Sequence, residues 1–128
     1  MKKVISTDNV PKAVGPYSQA VWANDLLFIS GQIPIDPKTG KFVSDDIKEQ
    51  TKQVFKNLGA ILQSAGLGYE NIVKATVYLA DMNDFAAMNE IYASFFKKDF
   101  PARAAFQVVK LPLSAKVEIE AIAVREIY

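Results

Sequence analysis

Six short segments of the chain have the apolar content and spacing of β-strands. They are residues 4–6, 20–23, 26–33, 72–79, 104–109 and 117–124. Asn24 and Asp25 form a hairpin turn signal between the second and third segments, and residues 36–40 carry turn chemistry. On one face of the fourth segment, alternation places Val73, Ala75, Val77 and Leu79.

Two longer segments have helical spacing. The apolar residues of the first, from about residue 46 to 65, recur at intervals that place them on one helix face: Ile47, Val54, Leu58, Ile61 and Ala65. The second begins near Asn83 and Asp84 and is predicted to run to about residue 98. Its apolar stripe is Phe85, Met88, Tyr92, Phe95 and Phe96.

The order of these elements predicts an α+β fold of about six strands with two helices on one face of the sheet. Two helices cannot cover both faces, yet residues 26–29 are apolar throughout. Because monomers rarely expose a large apolar sheet face, we expect other copies of the chain to cover it. The spacing alone does not choose between a dimer and a trimer.

Composition narrows the chemistry that this fold can perform. The chain has 128 residues, which favours a single domain over residues 1–128, and it contains no Cys and no His. Disulfides, Cys/His zinc sites, thiol nucleophiles and Ser-His-Asp relays are therefore excluded within the chain. Fifteen Lys and Arg against fourteen Asp and Glu give a net charge of +1, which disfavours electrostatic binding of nucleic acid.

The N-terminal residues and the apolar runs bear on location. Residues 1–8 carry two lysines without a following apolar run, so they do not resemble a secretory signal. Runs such as residues 26–29 are too short to span a bilayer. We therefore expect a cytoplasmic protein with no membrane partner.

Two kinds of charged residue stand out as candidate chemistry. Arg103 follows Pro101 just before a predicted strand, where its guanidinium can bind a carboxylate or serve as an ordinary surface cation. Glu118 and Glu120 share one strand face, about 7 Å apart. The next residues of that face are apolar, so a half-buried carboxylate there can exchange protons near neutrality, or both can be solvated.

Three further positions carry weaker signals. Asn89 falls at the edge of the second helix's apolar stripe, where its amide needs a partner in the backbone, a neighbouring subunit or a ligand. Ser30 and Gly31 follow a wholly apolar strand segment, which indicates a pocket wall, a close backbone approach or simple emergence into solvent. Tyr17 follows the loop signal Gly15-Pro16.

Taken together, these residues give the chain a resemblance to the Rid (YjgF) family of reactive-intermediate deaminases over essentially its whole length. The resemblance rests on blocks in family order: 15–19 (Gly-Pro-Tyr-Ser-Gln), 30–34 (Ser-Gly-Gln-Ile-Pro), 47–54, 73–77 (Val-Lys-Ala-Thr-Val), 84–85 with Asn89, 101–103 (Pro-Ala-Arg), 111–112 (Leu-Pro) and 117–121 (Val-Glu-Ile-Glu-Ala). It implies a chorismate-mutase-like fold and a homotrimeric barrel with clefts between subunits.

The resemblance also implies a reaction, the hydrolysis of 2-imino or enamine acids to 2-oxo acids and ammonia. The imines come from pyridoxal-phosphate enzymes, and no cofactor or metal is implied. By motif position, Arg103 would bind the substrate carboxylate and Glu118 would activate water. Tyr17, Ser30, Gly31 and Asn89 would line the cleft.

One family feature is missing and two other functions stay open. Ala105 stands where family members often have Cys, which removes a thiol role and leaves hydrolysis intact. A metabolite-binding module without turnover would use the same cleft. RNA binding or cleavage is a third possibility, which the balanced charge disfavours.

The roles implied for Arg103 and Glu118 make a geometric prediction. If the last two strands formed a hairpin, Glu118 would pair near Val108 and lie roughly 17 Å from Arg103. One cleft could not then use both residues from the same chain. We therefore predict that the two strands are not hairpin partners, or that the two residues meet across a subunit boundary.

Overall fold

Six strands form one mixed sheet in the computed structural model, which describes residues 2–126. In chain order, these strands are β1 Lys2–Ile5, β2 Ala20–Ala23, β3 Leu26–Gln32, β6 Ile72–Leu79, β7 Ala102–Gln107 and β8 Val117–Val124. A separate small hairpin joins β4 Ile35–Asp36 to β5 Lys41–Phe42, around the predicted turn at residues 36–40. The helices are α1 Ile47–Ser64 and α2 Phe85–Ser94.

The order of strands in the large sheet is β1-β2-β3-β8-β6-β7. Only β6 and β7 are parallel, because the chain between them returns through α2 before it re-enters the sheet. Strand β6 therefore lies between β7 and β8 and pairs with both. This order confirms the prediction that the last two strands are not hairpin partners.

Both helices pack on one face of the sheet, as predicted. Helix α1 begins where the Asp46 side chain accepts a hydrogen bond from the Glu49 N–H, 3.0 Å away, and it ends before Gly66, whose φ of +77° favours glycine. Its apolar stripe is buried against the sheet in a core that includes Val54, Leu58, Ile61, Leu27 and Ile119. This confirms an α+β fold with two helices covering one face.

The opposite face of the sheet is open in the single chain. Phe28 and Phe106 on this face are 43% and 46% exposed, and Tyr78 and Ile122 between them are half-buried. The expectation that other copies of the chain cover this face, in a homotrimeric barrel, stays a prediction.

Several element boundaries differ from those that the sequence predicts. Strand β1 is Lys2–Ile5 where residues 4–6 were expected. Helix α2 ends at Ser94 and not near residue 98, and the rings of Phe95 and Phe96 beyond its end pack against Phe55. The chain turns sharply at Asp99, with a φ of +54°, so β7 starts at Ala102.

A β-bulge corrects the face predicted for Val73. The register between β6 and β8 shifts between Ile72 and Lys74. Ile72 is consequently buried while Val73 is 43% exposed, although Ala75, Val77 and Leu79 are buried as expected.

Candidate active site

A bulge in β3 builds one half of the candidate site. The register between β3 and β8 shifts between Ile29 and Gln32, so Ser30 and Gly31 lie out of step with β8. The Ser30 hydroxyl donates to the Ser18 carbonyl at 2.6 Å, which ties the bulge to the preceding loop. The switch from apolar residues to Ser30 and Gly31 after Ile29 therefore coincides with this β-bulge.

Gly31 lies directly beneath the Glu118 side chain. A Cβ atom built at Gly31 would overlap Glu118 Oε2 and lie 2.9 Å from Glu118 Cδ. The close approach predicted at Gly31 is confirmed, and its partner is this carboxylate. Glycine is thus required for steric reasons, and backbone strain plays no part in it.

These residues line a cavity of about 710 Å³. Tyr17, Ser30, Gly31, Glu118 and Glu120 all contribute to its wall, together with apolar residues such as Pro112 and Leu113. Four of the six residues proposed for the site therefore share one cavity. A second cavity, of about 850 Å³ near Tyr69 and Phe100, contains none of the six.

The environment of Glu118 favours its protonated form. Partial burial raises the pKa of the Glu118 carboxyl, and the neighbouring negative charge of Glu120 raises this pKa further. Among residues 2–126, no Lys or Arg nitrogen lies within ion-pair distance of Glu118. A raised pKa makes the Glu118 carboxylate a stronger base than an ordinary glutamate, which suits it to accept and return a proton.

Arg103 occupies a different environment, on the helix-covered side of β7. It lies inside this strand, in register with Ala75, and not just before it as the sequence predicts. Its Nη1 donates to Asn89 Oδ1 at 2.6 Å. Its guanidinium also lies 4.7 Å from the ring centroid of Tyr92 and 5.4 Å from that of Phe85.

Helix α2 supplies all three contacts of Arg103. Asn89 is half-buried at the edge of the apolar stripe, as its position on the helical wheel predicts, and Tyr92 and Phe85 flank it. Sequence reasoning missed the two rings because it assigned them wholly to the core. The available signal was their place on the same helix edge as Asn89.

Among residues 2–126, no carboxylate lies within ion-pair distance of the half-buried Arg103 guanidinium. Elsewhere in the described part of the chain, Lys48 pairs with Glu90, Lys52 with Glu49, and Arg125 with Asp25. Amide oxygen and aromatic rings orient the Arg103 guanidinium without neutralising its charge. This arrangement suits the binding of an external anion.

Within one chain, the structure does not bring Arg103 and Glu118 together. Across β6, Arg103 is level with Ala75 and Glu118 is level with Tyr78, three residues further along. With two inter-strand spacings, their Cα atoms are separated by about 14 Å. Their side chains also lie on opposite faces, since Arg103 contacts α2 and Glu118 contacts the bulge at Gly31.

The described residues offer neither a cluster of metal ligands nor a membrane-spanning helix. No group of three or more acidic, Cys or His side chains that could hold a metal ion occurs among residues 2–126. Neither described helix is long and apolar enough to cross a bilayer.

The fold and these motifs define a known class of protein. Residues 7–125 match the family model described as Endoribonuclease L-PSP. The chain therefore belongs to this family, which is the YjgF/Rid family that the sequence motifs resemble.

Relatives with assigned names match almost the whole chain. A RutC family protein of Pyrococcus horikoshii is 58% identical over 98% of this chain and 100% of its own length. The human 2-iminobutanoate/2-iminopropanoate deaminase is 52% identical over 98% of this chain and 91% of its own. The chloroplastic Reactive Intermediate Deaminase A of Arabidopsis thaliana is 53% identical over 95% of this chain and 65% of its own.

Solved structures of the family have the same fold. A member of the conserved Rid protein family from Yersinia pestis superimposes with a TM-score of 0.95 at 50% identity, covering 97% of this chain and 99% of that one. The overall fold of this chain is thus one already known from a crystal structure of the family.

Proposed function

We propose that this protein hydrolyses reactive 2-imino and enamine acids, such as 2-iminobutanoate and 2-iminopropanoate, to 2-oxo acids and ammonia. The observation that carries the reaction class is the 52% identity, over 98% of the chain, to a human enzyme named for this deamination. The geometry supports it with an arginine that has no carboxylate partner among residues 2–126, and with a carboxylate of raised pKa. The enzyme is a hydrolase acting on a C=N bond.

Arg103 binds the carboxylate of the substrate. Asn89, Tyr92 and Phe85 already orient its guanidinium, so little side-chain entropy is lost when the anion binds. The planar fork of donors fits a carboxylate in two parallel hydrogen bonds. This contact fixes the imine carbon relative to the rest of the site.

Glu118 positions and activates the attacking water. The water oxygen bonds to the imine carbon while one of its protons passes to the Glu118 carboxylate. Glu118 returns this proton to the nitrogen of the tetrahedral intermediate. The C–N bond then breaks, ammonia leaves, the carbonyl forms, and the hydroxyl proton passes to ammonia. Because a protonated imine is already electrophilic, no stronger base is required.

The two residues act from different subunits. Arg103 and Glu118 lie on opposite faces of one sheet, so a shared cleft requires Arg103 from one copy and Glu118 from another. The exposed apolar side chains of the open sheet face, Phe28 and Phe106 among them, supply a surface for this assembly. A homotrimeric barrel with three intersubunit sites is the proposed assembly, and sedimentation analysis tests it.

The remaining residues shape the cleft. Tyr17 and Ser30 line its wall beside the Gly31 backbone, and Asn89 orients Arg103. No cofactor or metal takes part in the proposed steps. The substrates are imines released by pyridoxal-phosphate enzymes, and the proposed site of action is the cytoplasm, although one relative is named as chloroplastic.

A coupled assay tests the function. A pyridoxal-phosphate dehydratase generates the imine, and its absorbance is followed with and without the purified protein. We expect the decay to accelerate with wild-type protein and to return to the spontaneous rate with Arg103→Ala, while the oligomer persists. A spontaneous rate with wild-type protein would contradict the proposal. Tight 2-oxo acid binding without turnover would instead identify a metabolite-binding module.

A further inference from the structure

Glu120 lies beside the proposed general base without a role in the steps above. It shares the strand face of Glu118, two residues further along β8, and both carboxylates line the same cavity. The negative charge of Glu120 raises the pKa of the neighbouring Glu118 carboxyl.

Tyr78 of β6 holds Glu120. Its hydroxyl donates to Glu120 Oε1 at 2.8 Å, and its ring packs edge-on against Phe106 with the centroids 5.3 Å apart. In the sheet register, Tyr78 is directly opposite Glu118 and reaches diagonally to Glu120. The bond to Glu120 raises the pKa of Tyr78 to about 12, so the hydroxyl remains a donor throughout the neutral range.

We propose that Glu120, fixed by Tyr78, is a positioning residue for the reaction at Glu118 and keeps a second negative charge beside the carboxylate that transfers protons. The proposal rests on the proposed deaminase function and adds a specific arrangement to it. Glu120 touches neither water nor substrate in this scheme. It acts through the protonation of Glu118.

Within one chain, no other charged group around Glu118 replaces this effect. In the proposed assembly, Arg103 of another copy adds a positive charge to the same cleft and lowers the pKa of Glu118, but this contribution is common to wild type and all the variants compared below. Tyr78 faces it from β6, and β3 presents the uncharged backbone of Gly31. From the loop before β2, Lys12 and Tyr17 line the cavity, but no Lys or Arg nitrogen of the described chain pairs with Glu118. The charge of Glu120 is therefore the nearest negative charge to the proposed base within the described residues.

Three variants test the proposal. Glu120→Gln removes the charge and keeps the shape, and Tyr78→Phe removes the hydroxyl and keeps the ring against Phe106. Glu70→Gln is the matched control, since it removes an exposed charge near the other end of β8. For each variant, the pH dependence of kcat/KM is compared with that of wild type. Titration of the substrate imine is common to all of them and cancels.

We expect Glu120→Gln to move the acidic limb of the kcat/KM profile to lower pH by about half a pH unit, because Glu118 then loses its proton more easily. Tyr78→Phe moves the limb in the same direction by a smaller amount, and Glu70→Gln leaves it in place. Carboxyl carbon NMR follows the Glu118 midpoint directly, with the same expected order. Coincident Glu118 midpoints for wild type, Glu120→Gln and Glu70→Gln would overturn the proposal.

The two measurements separate this proposal from the proposed function. If wild-type protein fails to accelerate imine hydrolysis, the deaminase function is wrong whatever the NMR midpoints show. If wild-type protein is active and the Glu118 midpoint does not respond to Glu120→Gln, only the role of Glu120 is wrong. Circular dichroism checks that each variant folds before either comparison is made.

Discussion

The surroundings of Arg103 and of Glu118 differ in how they treat the charge of the side chain. Arg103 keeps its charge beside an amide oxygen and two aromatic rings, without an acidic partner in the described chain. Glu118 is partly buried next to a second carboxylate, and both effects raise the pKa of its carboxyl. The first environment favours holding an anion in place, whereas the second favours moving a proton. The proposed function therefore places binding and proton transfer in separate regions.

Removing Glu118, the proposed proton-transfer group, tests this division most severely. We expect Glu118→Gln to lower kcat by about 10²–10⁴-fold, while 2-oxo acid binding stays close to wild type. Stopped-flow decay of the imine measures the first quantity, and calorimetry measures the second. A parallel loss of 2-oxo acid affinity would show that Glu118 also binds substrate.

The same variant has a pH-dependent effect on stability. Because burial raises the pKa of Glu118, the folded state is destabilised by this charge at neutral pH. Glu118→Gln should therefore raise Tm at neutral pH, and this gain should disappear as the pH falls through the raised folded-state pKa towards the ordinary value for Glu. A gain in Tm that persists in acid would point to packing and not to charge.

Removing the anion-binding group should show the complementary pattern. We expect Arg103→Ala to weaken 2-oxo acid binding by about 2–5 kcal/mol, because the substrate carboxylate loses a paired guanidinium. Titration calorimetry with 2-oxobutanoate measures it. Arg125→Ala is the matched control, since Arg125 also lies over an aromatic ring but has Asp25 as its own acidic partner. Equal losses of 2-oxo acid affinity in both variants would show that Arg103 is not the specific anion-binding residue.

The contact between Gly31 and Glu118 offers a smaller perturbation. Gly31→Ala places a Cβ where the Glu118 carboxylate lies, so the side chain must move. We expect a loss of about 10²-fold in kcat/KM, the scale expected for a displacement of about 1 Å. In a Glu118→Gln background the same substitution should add little, because it acts through Glu118. Additive losses of kcat/KM in the double variant would show that Gly31→Ala does not act through Glu118.

A pair of tyrosines around Phe55 gives the smallest expected effects and tests the scaffold behind Arg103. The Tyr69 hydroxyl donates to the Phe55 carbonyl at 2.7 Å, whereas the buried Tyr92 hydroxyl has no protein partner among residues 2–126. Tyr69→Phe should lower the free energy of unfolding by about 1 kcal/mol, and Tyr92→Phe should change it less or raise it. Urea unfolding compares the two. The reverse order would show that the Tyr92 hydroxyl is stabilising.

The spacing of residues within a segment predicts the helices of this protein well, because interactions between residues close in sequence determine them. The apolar stripe of α1 and its Asp46 cap determine the helix bounds to within one or two residues. The position of Asn89 on the edge of α2 indicates that its amide needs a partner, and that partner is Arg103. In both cases the deciding interactions lie within a few turns of helix, where spacing is informative.

Features decided by distant pairing are harder to predict. Alternation cannot show that β6 inserts between β7 and β8, and this insertion determines the separation of Arg103 and Glu118. The bulge beside Val73 depends on the partner strand and reverses a face that alternation assigns. The two rings beside Arg103 look like ordinary core residues until the parallel strand is in place.

The separation of Arg103 and Glu118 onto opposite sheet faces has a genetic consequence under the proposed assembly. Two inactive variants of the gene, one lacking Arg103 and the other lacking Glu118, could complement each other when both are expressed in one cell. If Arg103→Ala and Glu118→Gln subunits assemble at random, about a quarter of the sites receive an intact arginine from one parent and an intact glutamate from the other. Mixed oligomers would then contain active sites that neither variant forms alone. A cell expressing both variants would recover part of the deaminase activity that each variant alone abolishes.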